Sequence, residues 1–447
     1  MIEKENIGKE SIKDGDTVKI NMELRAPKGT RDFLPEDKIP RDKIVAMLKE
    51  SFELFGYNPI ETPALEEQKT ATAKFAAGEE ADVMNEMFEL EDKAGRKLVL
   101  RYELTFPLAR LIASNPQLQK PFKRYAIGPA WRNGPLKLGR YREFWQCDVD
   151  VVGVKSMLAD AEILSLAENF FDKLGFPYEI RVNNRKLLSG LLDYAGVEEE
   201  KKNAVIITID KLNKIGIEGV TAELKEKGIK DSCIKKLADV MEQKNLEDVE
   251  RFATSKIGKE GVDELKQLFD YMREFGIKNA IFDVTLARGL GYYTGPIFEV
   301  FMKDTRITSS LAAGGRWDDM IGRFAGSKEQ IPAVGISFGL DVLSDAIKIV
   351  NNWKSEKSVV TAYVVPIKTE IAAIGILNFL RKNGIKADMD FNGRNISKNL
   401  EFANKLGIPY VVIAGPKEIT EGKVNLKEME SGREEKVKIE DLAKNLK

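Results

Sequence analysis

The sequence predicts an α+β protein: an antiparallel sheet flanked by helices, with a mostly helical insertion and a small C-terminal α/β unit. Three patterns carry that prediction. Residues 97–152 contain runs of alternating polar and apolar side chains, the last two separated by a loop beginning Asn133-Gly134, as in strands joined by a hairpin. Residues from about 185 to 275 have few β-branched runs and many Lys, Glu and Leu positions at helical spacing. Beyond a polar linker at Asn351–Lys357, five-residue strand patterns alternate with helical ones, the rhythm of a mainly parallel α/β unit.

Taken in order, residues 1–24 form a polar extension with at most one short strand, at Thr17–Met22. From Pro35 to Phe55 the pattern is helical, with Ile44, Met47, Leu48 and Phe52 three and four apart, and Gly56 ends it. KLVLRYELT (97–105) reads as one strand, with Arg101, Glu103 and Thr105 sharing a face. KRYAIGPAWR (123–132) and GRYREFWQCDVDVVG (139–153) read as the hairpin, and Ser156–Leu174 as a helix stopped by Gly175. After the insertion, strands are expected at Ala280–Thr285, Tyr293–Met302 and Ile307–Ala312. A glycine-rich turn at Gly314–Gly315 and a helix from about Gly339 to Val350 complete a first unit, 25–350. The second unit, 357–447, reads strand 359–367, helix 369–383, strand 386–391, helix 397–406, strand 410–415 and two short strands, 423–428 and 435–439.

Composition narrows the chemistry. The chain has 447 residues, a net charge of −1, two cysteines and no histidine. A balanced charge excludes a general polyanion binder and leaves any nucleic-acid contact to local patches. The C-terminal unit has 16 basic against 12 acidic residues, a small bias of that kind. Two thiols, Cys147 and Cys233, cannot build a disulfide framework or a cysteine zinc site. Without imidazole there is no Ser-His or Cys-His nucleophile pair. Catalysis must then use carboxylates, Arg, Lys, hydroxyls, metal-bound water or groups of the substrate. No run approaches the length of a membrane span, and the charged N-terminus lacks a signal-peptide core, so a soluble, cytoplasmic protein with no membrane partner is expected.

Alternation along the second hairpin strand puts Arg142, Phe144, Gln146, Asp148 and Asp150 on one face and Trp145, Cys147, Val149 and Val151 on the other. The second face is core. The first bears groups that few buried surfaces tolerate unpaired. Arg132 follows Ala126, Gly128 and Ala130 on its own face, small residues that leave room for something bulky. LARGLGYYTG (286–295) adds an arginine and two tyrosines among three glycines, and AAGGRWDD (312–319) adds another glycine-flanked arginine.

Five stretches, APKGTRDFLP (26–35), RYELTFPLAR (101–110), GRYREFWQCDVD (139–150), LARGLGYYTG and AAGGRWDD, resemble histidyl-tRNA synthetases, class II aminoacyl-tRNA synthetases, of the archaeal and eukaryotic type. GRNISKNLEFANKLGIPYVVI (393–413) resembles the anticodon-binding domain of that family. The resemblance implies that Glu103, Leu104, Thr105 and Gln146 hold the amino acid, the acid and hydroxyl beside its α-ammonium. Asp150 and Tyr293 would read the imidazole, with Tyr292 lining the pocket. Arg132 and Arg288 would be the catalytic arginines, at the ATP α-phosphate and between that phosphate and the substrate carboxylate. The helix over 36–55 with the strand leading to Pro63 corresponds to motif 1, a homodimer interface. L-Histidine, ATP, Mg2+ and tRNA(His) are the implied substrates and cofactors, with tRNA contacts at Lys137, Arg394 and Lys398. Four positions depart from the family pattern: Gly134 for a Glu near the adenine, Gly291 in GLGYY, Trp317 for a tyrosine, and Val342 for the motif 3 arginine that contacts ATP. Arg140, Arg142 and Arg316 are the candidates to replace that last contact. Two competing readings are a synthetase-like, histidine-binding regulatory subunit of ATP phosphoribosyltransferase and a pure RNA-binding module. The regulators usually lack the C-terminal α/β unit, and an RNA-binding module leaves the polar face unexplained.

Overall fold

A computed structural model describes residues 24–73, 85–136, 139–288, 291–304, 306–350 and 356–446. The strand expected at Thr17–Met22 and Lys137 lie outside the described residues. The main sheet has eight strands: β1 (Asn58–Pro59), β2 (Phe122–Trp131), β3 (Glu143–Val152), β4 (Tyr178–Asn184), β5 (Ala280–Phe282), β6 (Pro296–Met302), β7 (Ala312–Arg316) and β8 (Ala333–Gly339). Their order is β1-β2-β3-β8-β7-β6-β4-β5. Every pairing from β2 to β4 is antiparallel, and the two outermost strands pair in parallel.

One face of this sheet is the core. Cys147, Val149, Val151, Ile336 and Phe338 pack against helix α1 (Pro35–Leu54) through Ile44, Leu48 and Phe52. A proline in the first turn starts α1, and Gly56 takes a φ of +76° just past its end, the left-handed residue that commonly closes a helix. Helix α3 (Leu158–Leu174), which follows a shorter α2 (Thr105–Ala113), covers the same face with Phe170 and Phe171. Phe338 sits against Phe52, Phe170 and Phe171 at centroid distances of 5.7, 5.3 and 5.9 Å. Each such ring contributes about 2–3 kcal/mol of burial, so the core clamps the strand whose other face bears Ser337. Between Arg185 and Glu274 the chain is helical, in six segments.

Three local expectations change. The strand of KLVLRYELT stops at Leu100, and Thr105 opens α2, so Arg101, Glu103 and Thr105 do not share a strand face. The reason is Pro107, which fits the first turn of a helix, together with burial of Phe106, Leu108, Ala109 and Ile112 at helical spacing. Gly314 and Gly315 are not in a turn: they lie inside β7, which begins where the expected strand ended. The sheet is too close there for side chains, since a Cβ on Gly315 would come 2.6 Å from the Pro296 carbonyl oxygen and 2.8 Å from the Tyr293 ring. Strands β4 and β8 were not expected, and β8 is central.

The C-terminal unit has a five-stranded sheet of β9 (Ala362–Pro366), β10 (Ala387–Met389), β11 (Tyr410–Ala414), β12 (Lys423–Glu428) and β13 (Glu434–Lys438), in the order β10-β9-β11-β12-β13. The first three are parallel and the last two antiparallel, with helices Glu370–Lys382 and Ile396–Lys405 between the parallel strands. Among the described residues no helix is long and apolar enough to cross a membrane.

Candidate active site

Register assembles the site on the sheet face opposite the core. Arg124, Asp150, Gly335 and Gly315 form one transverse row, and Ala126, Asp148, Ser337, Ala313 and Glu299 the next. Gly128, Gln146 and Gly339 form a third. Paired residues point to the same side of a sheet. The small residues of β2, β7 and β8 therefore flank the long polar ones of β3. A Cβ on Gly335 would collide with the Asp150 carboxylate, and one on Gly315 with the Tyr293 ring. Those paired glycines thus bring Asp150 and Tyr293 over neighbouring points of one floor.

Asp150 is 3% exposed and pairs with fully buried Arg124, Nη2 to Oδ2 at 2.6 Å. The same Nη2 donates to the Leu104 carbonyl at 3.3 Å, which ties α2's first residues to the floor. The Trp317 indole N–H also donates to Asp150, so the residue that departs from the family tyrosine keeps a polar role. Gln146 Nε2 donates to Ser337 Oγ at 2.9 Å, and Ser337 in turn donates to Asp148. Glu103, 3% exposed, adds a negative charge felt by Asp148, Asp150, Tyr292 and Tyr293. The two tyrosine rings lie 4.6 Å apart. Buried atoms Arg124 Nε and Nη1, Gln146 Oε1 and Asp148 Oδ1 have no hydrogen-bond partner among the described residues, the mark of a surface built for a polar ligand.

The arginines divide. Arg132 donates from Nε to the Tyr102 carbonyl at 3.0 Å and lies 5.2 Å from the Phe144 ring. It lines a cleft of about 520 Å³ with Glu86, Gly134, Arg140, Tyr141 and Phe144. Arg288 has a φ of +32°, unusual for a residue with a side chain, and pairs with Glu299 at 2.7 Å beside Tyr293. Arg140 is exposed in the cleft. Arg142 packs its stem over Gly29. Arg316 does not join them. It is 1% exposed on the core face, ion-paired with Asp160 and donating to the Val154 and Ser156 carbonyls. That commitment removes it from the ATP-binding candidates. Val342, where an arginine was expected, packs under Gly139, whose Cβ would lie 3.3 Å from it.

Sequence reading missed Arg124, Ser337, Glu299 and Glu86. The period-two pattern that singled out Ala126, Gly128 and Ala130 also puts Arg124 on their face, and that signal was available.

Burial pushes Asp148 up to about 7 and Asp150 up to about 6, with the Arg124 charge opposing the rise. In an unfolded chain both titrate near 4. The folded state therefore holds their protons more tightly, and the stability this gives below pH 4 is lost as pH rises toward 7. Between pH 5 and 7, urea unfolding of Asp148→Asn should show a decline shallower than that of the parent by up to about 1 kcal/mol per pH unit. Parallel curves would show that Asp148 ionises as freely as in water.

An antiparallel sheet with an acid-and-amide floor and two flanking arginines is the catalytic core of a class II aminoacyl-tRNA synthetase. A family model described as histidyl-tRNA synthetase matches residues 29–343, and one described as an anticodon binding domain matches 361–447. The chain belongs to the histidyl-tRNA synthetase family. Histidine–tRNA ligase 1 of Bacillus thuringiensis subsp. konkukian is 41% identical over 95% of this chain and all of that protein. The crystal structure of histidyl-tRNA synthetase from Nostoc sp. PCC 7120 superposes with a TM-score of 0.83 at 29% identity, covering 95% of this chain and 99% of that one. A Bacillus halodurans C structure described as an ATP phosphoribosyltransferase regulatory subunit/histidyl-tRNA synthetase gives 0.72 at 24% identity, over 88% of this chain and 98% of that one. That likeness shows the fold alone.

Proposed function

We propose that the protein is a histidine–tRNA ligase that joins L-histidine to ATP as histidyl-adenylate and passes the histidyl group to the 3′ end of tRNA(His). The observation that carries this is the single floor holding Gln146, Asp148 and Asp150, with Glu103, Tyr293 and Arg288 around it and the Arg132 cleft alongside. Neutral imidazole has one N–H donor and one acceptor. Asp150 accepts the N–H and Tyr293 meets the ring, while Glu103, Thr105 and Gln146 take the α-ammonium. Tyr292 and Leu104 close the pocket.

In the first step a carboxylate oxygen of histidine attacks the α-phosphorus of ATP and the bond to pyrophosphate breaks. The nucleophile is already ionised, so no enzymic base is needed, and a chain without histidine can do this chemistry. The protein supplies alignment and positive charge at the phosphorane oxygens through Arg132 and Arg288. Arg140 provides charge toward the outer phosphates, with Arg142 behind it. Mg2+, when bound, screens the triphosphate. Its ligands would be the phosphate oxygens with at most one or two carboxylates, the usual Mg2+ arrangement. In the second step the terminal ribose hydroxyl of the tRNA attacks the adenylate carbonyl and AMP leaves, its phosphate taking the proton.

Residues 25–350 are the catalytic unit, 357–447 the anticodon-binding unit, and α1 the homodimer contact; the protein works in the cytoplasm. The C-terminal unit separates this reading from the regulatory subunit. Histidine-dependent exchange of pyrophosphate into ATP, followed by charging of tRNA(His), tests it. Exchange without charging would leave only activation, and histidine binding without exchange would favour the regulator.

The loop after β10 is organised by Asp390, whose carboxylate accepts from the Asn392 and Arg394 amides and from Asn399. This presents Arg394 and exposed Lys398 at the start of one helix. Replacing both by Ala should raise KM for tRNA roughly tenfold and make it less dependent on salt, because fewer phosphate contacts release fewer counterions, with pyrophosphate exchange unchanged. An unchanged tRNA KM would move the contact elsewhere.

A further inference from the structure

The Arg132 cleft contains one carboxylate that no role above uses. Glu86 reaches it from the segment just before the strand Glu89–Glu91, and its backbone is held in place from two sides. The Asn133 amide donates to the Glu86 carbonyl at 2.7 Å, and two residues on, the Leu100 amide donates to Phe88. The Glu86 side chain then turns toward Gly134. A Cβ on Gly134 would stand 2.7 Å from Glu86 Oε1 and 3.2 Å from Oε2, so the glycine is what lets that carboxylate enter the cleft. The remaining walls are two guanidiniums, Arg132 and Arg140, and two aromatic rings, Tyr141 and Phe144.

These groups sort by chemistry. Guanidiniums suit phosphate oxygens, and an aromatic face suits a stacked base. An ionised carboxylate only accepts hydrogen bonds. At position 6 of a purine, an exocyclic amine satisfies it and a carbonyl oxygen is repelled. Adenine has the amine at C6 and guanine the carbonyl. We propose that Glu86 is the residue that selects adenine, accepting from the 6-amino group of ATP while Gly134 leaves the space for it to do so.

The inference rests on the ATP-dependent activation proposed above, and the test keeps the two apart. Pyrophosphate exchange by the full chain with ATP and histidine tests activation itself; the preference among nucleotides tests Glu86. The parent enzyme should prefer ATP to purine riboside triphosphate, which lacks the 6-amino group, by roughly 10–100-fold in kcat/KM, the range for one hydrogen bond to a charged group. Glu86→Ala should collapse that ratio to about threefold or less. Glu86→Gln keeps the shape and adds a donor, and should raise use of GTP relative to ATP by about tenfold. A purely structural Glu86 would lower ATP and purine riboside triphosphate together and keep their ratio. A retained ratio in Glu86→Ala, or an unmoved GTP preference in Glu86→Gln, overturns the proposal.

Discussion

Arg288→Ala should lower histidine-dependent pyrophosphate exchange by about 10³-fold or more, the range for an arginine that stabilises a phosphoryl-transfer transition state. The size of the effect follows from how the residue is held. Its backbone stands at a φ of +32° and its Nη1 meets Glu299 at 2.7 Å, with Tyr293 beneath the guanidinium. In the proposed mechanism a side chain fixed on three sides would reach the reacting phosphate without reorganising, which a water molecule in its place would not. Removing it strands Glu299, but burial already holds that carboxyl above its ordinary range. It can take a proton rather than unfold the chain. The thermal midpoint should therefore move by only a few degrees, and Arg288→Lys should recover part of the rate through charge without the planar fork. Near-normal exchange in Arg288→Ala would remove the residue from the mechanism.

The two halves of the site were unequally legible, for reasons that lie in strand geometry. Alternation alone turns residues 142–151 into a polar face and a core face, and the structure keeps Cys147, Val149 and Val151 fully buried while Gln146, Asp148 and Asp150 line the floor. Alternation does not give register, so the partnership of Arg124 with Asp150 was hidden although both lie on readable strands. The glycines of β7 misled in a specific way. Gly314 and Gly315 look like a turn locally, yet they sit in mid-sheet because Tyr293 and the neighbouring strands leave no space for a Cβ. Missing β7 also cost the parity of Arg316, which falls on the core face because Gly315 faces the site. Thr105 was misread for the opposite reason. RYELT has strand-like local composition, and the tertiary burial of Phe106 and Leu108 turned the segment helical. Glu86 is separated from Arg132 by three strands and a helix, and only the folded chain puts them on one cleft.

Asp150→Ala should raise KM for histidine by roughly 10²-fold or more and leave KM for ATP within about threefold, because a site that hydrogen-bonds a polar group loses most when that partner is missing. The difficulty is that Asp150 serves the fold as well as the substrate. It neutralises Arg124, which is 0% exposed, and an uncompensated buried charge costs about 3–5 kcal/mol. A weaker enzyme could then mean a damaged sheet. The two effects separate in Arg124→Met/Asp150→Ala, which removes the stranded charge and fills its volume. Stability should return toward that of the parent, while histidine affinity stays low because the acceptor for the imidazole N–H is still gone. Recovery of histidine binding together with stability would show that Asp150 acts through Arg124 alone, and equal losses toward histidine and ATP would show that it shapes the sheet rather than reads the ring.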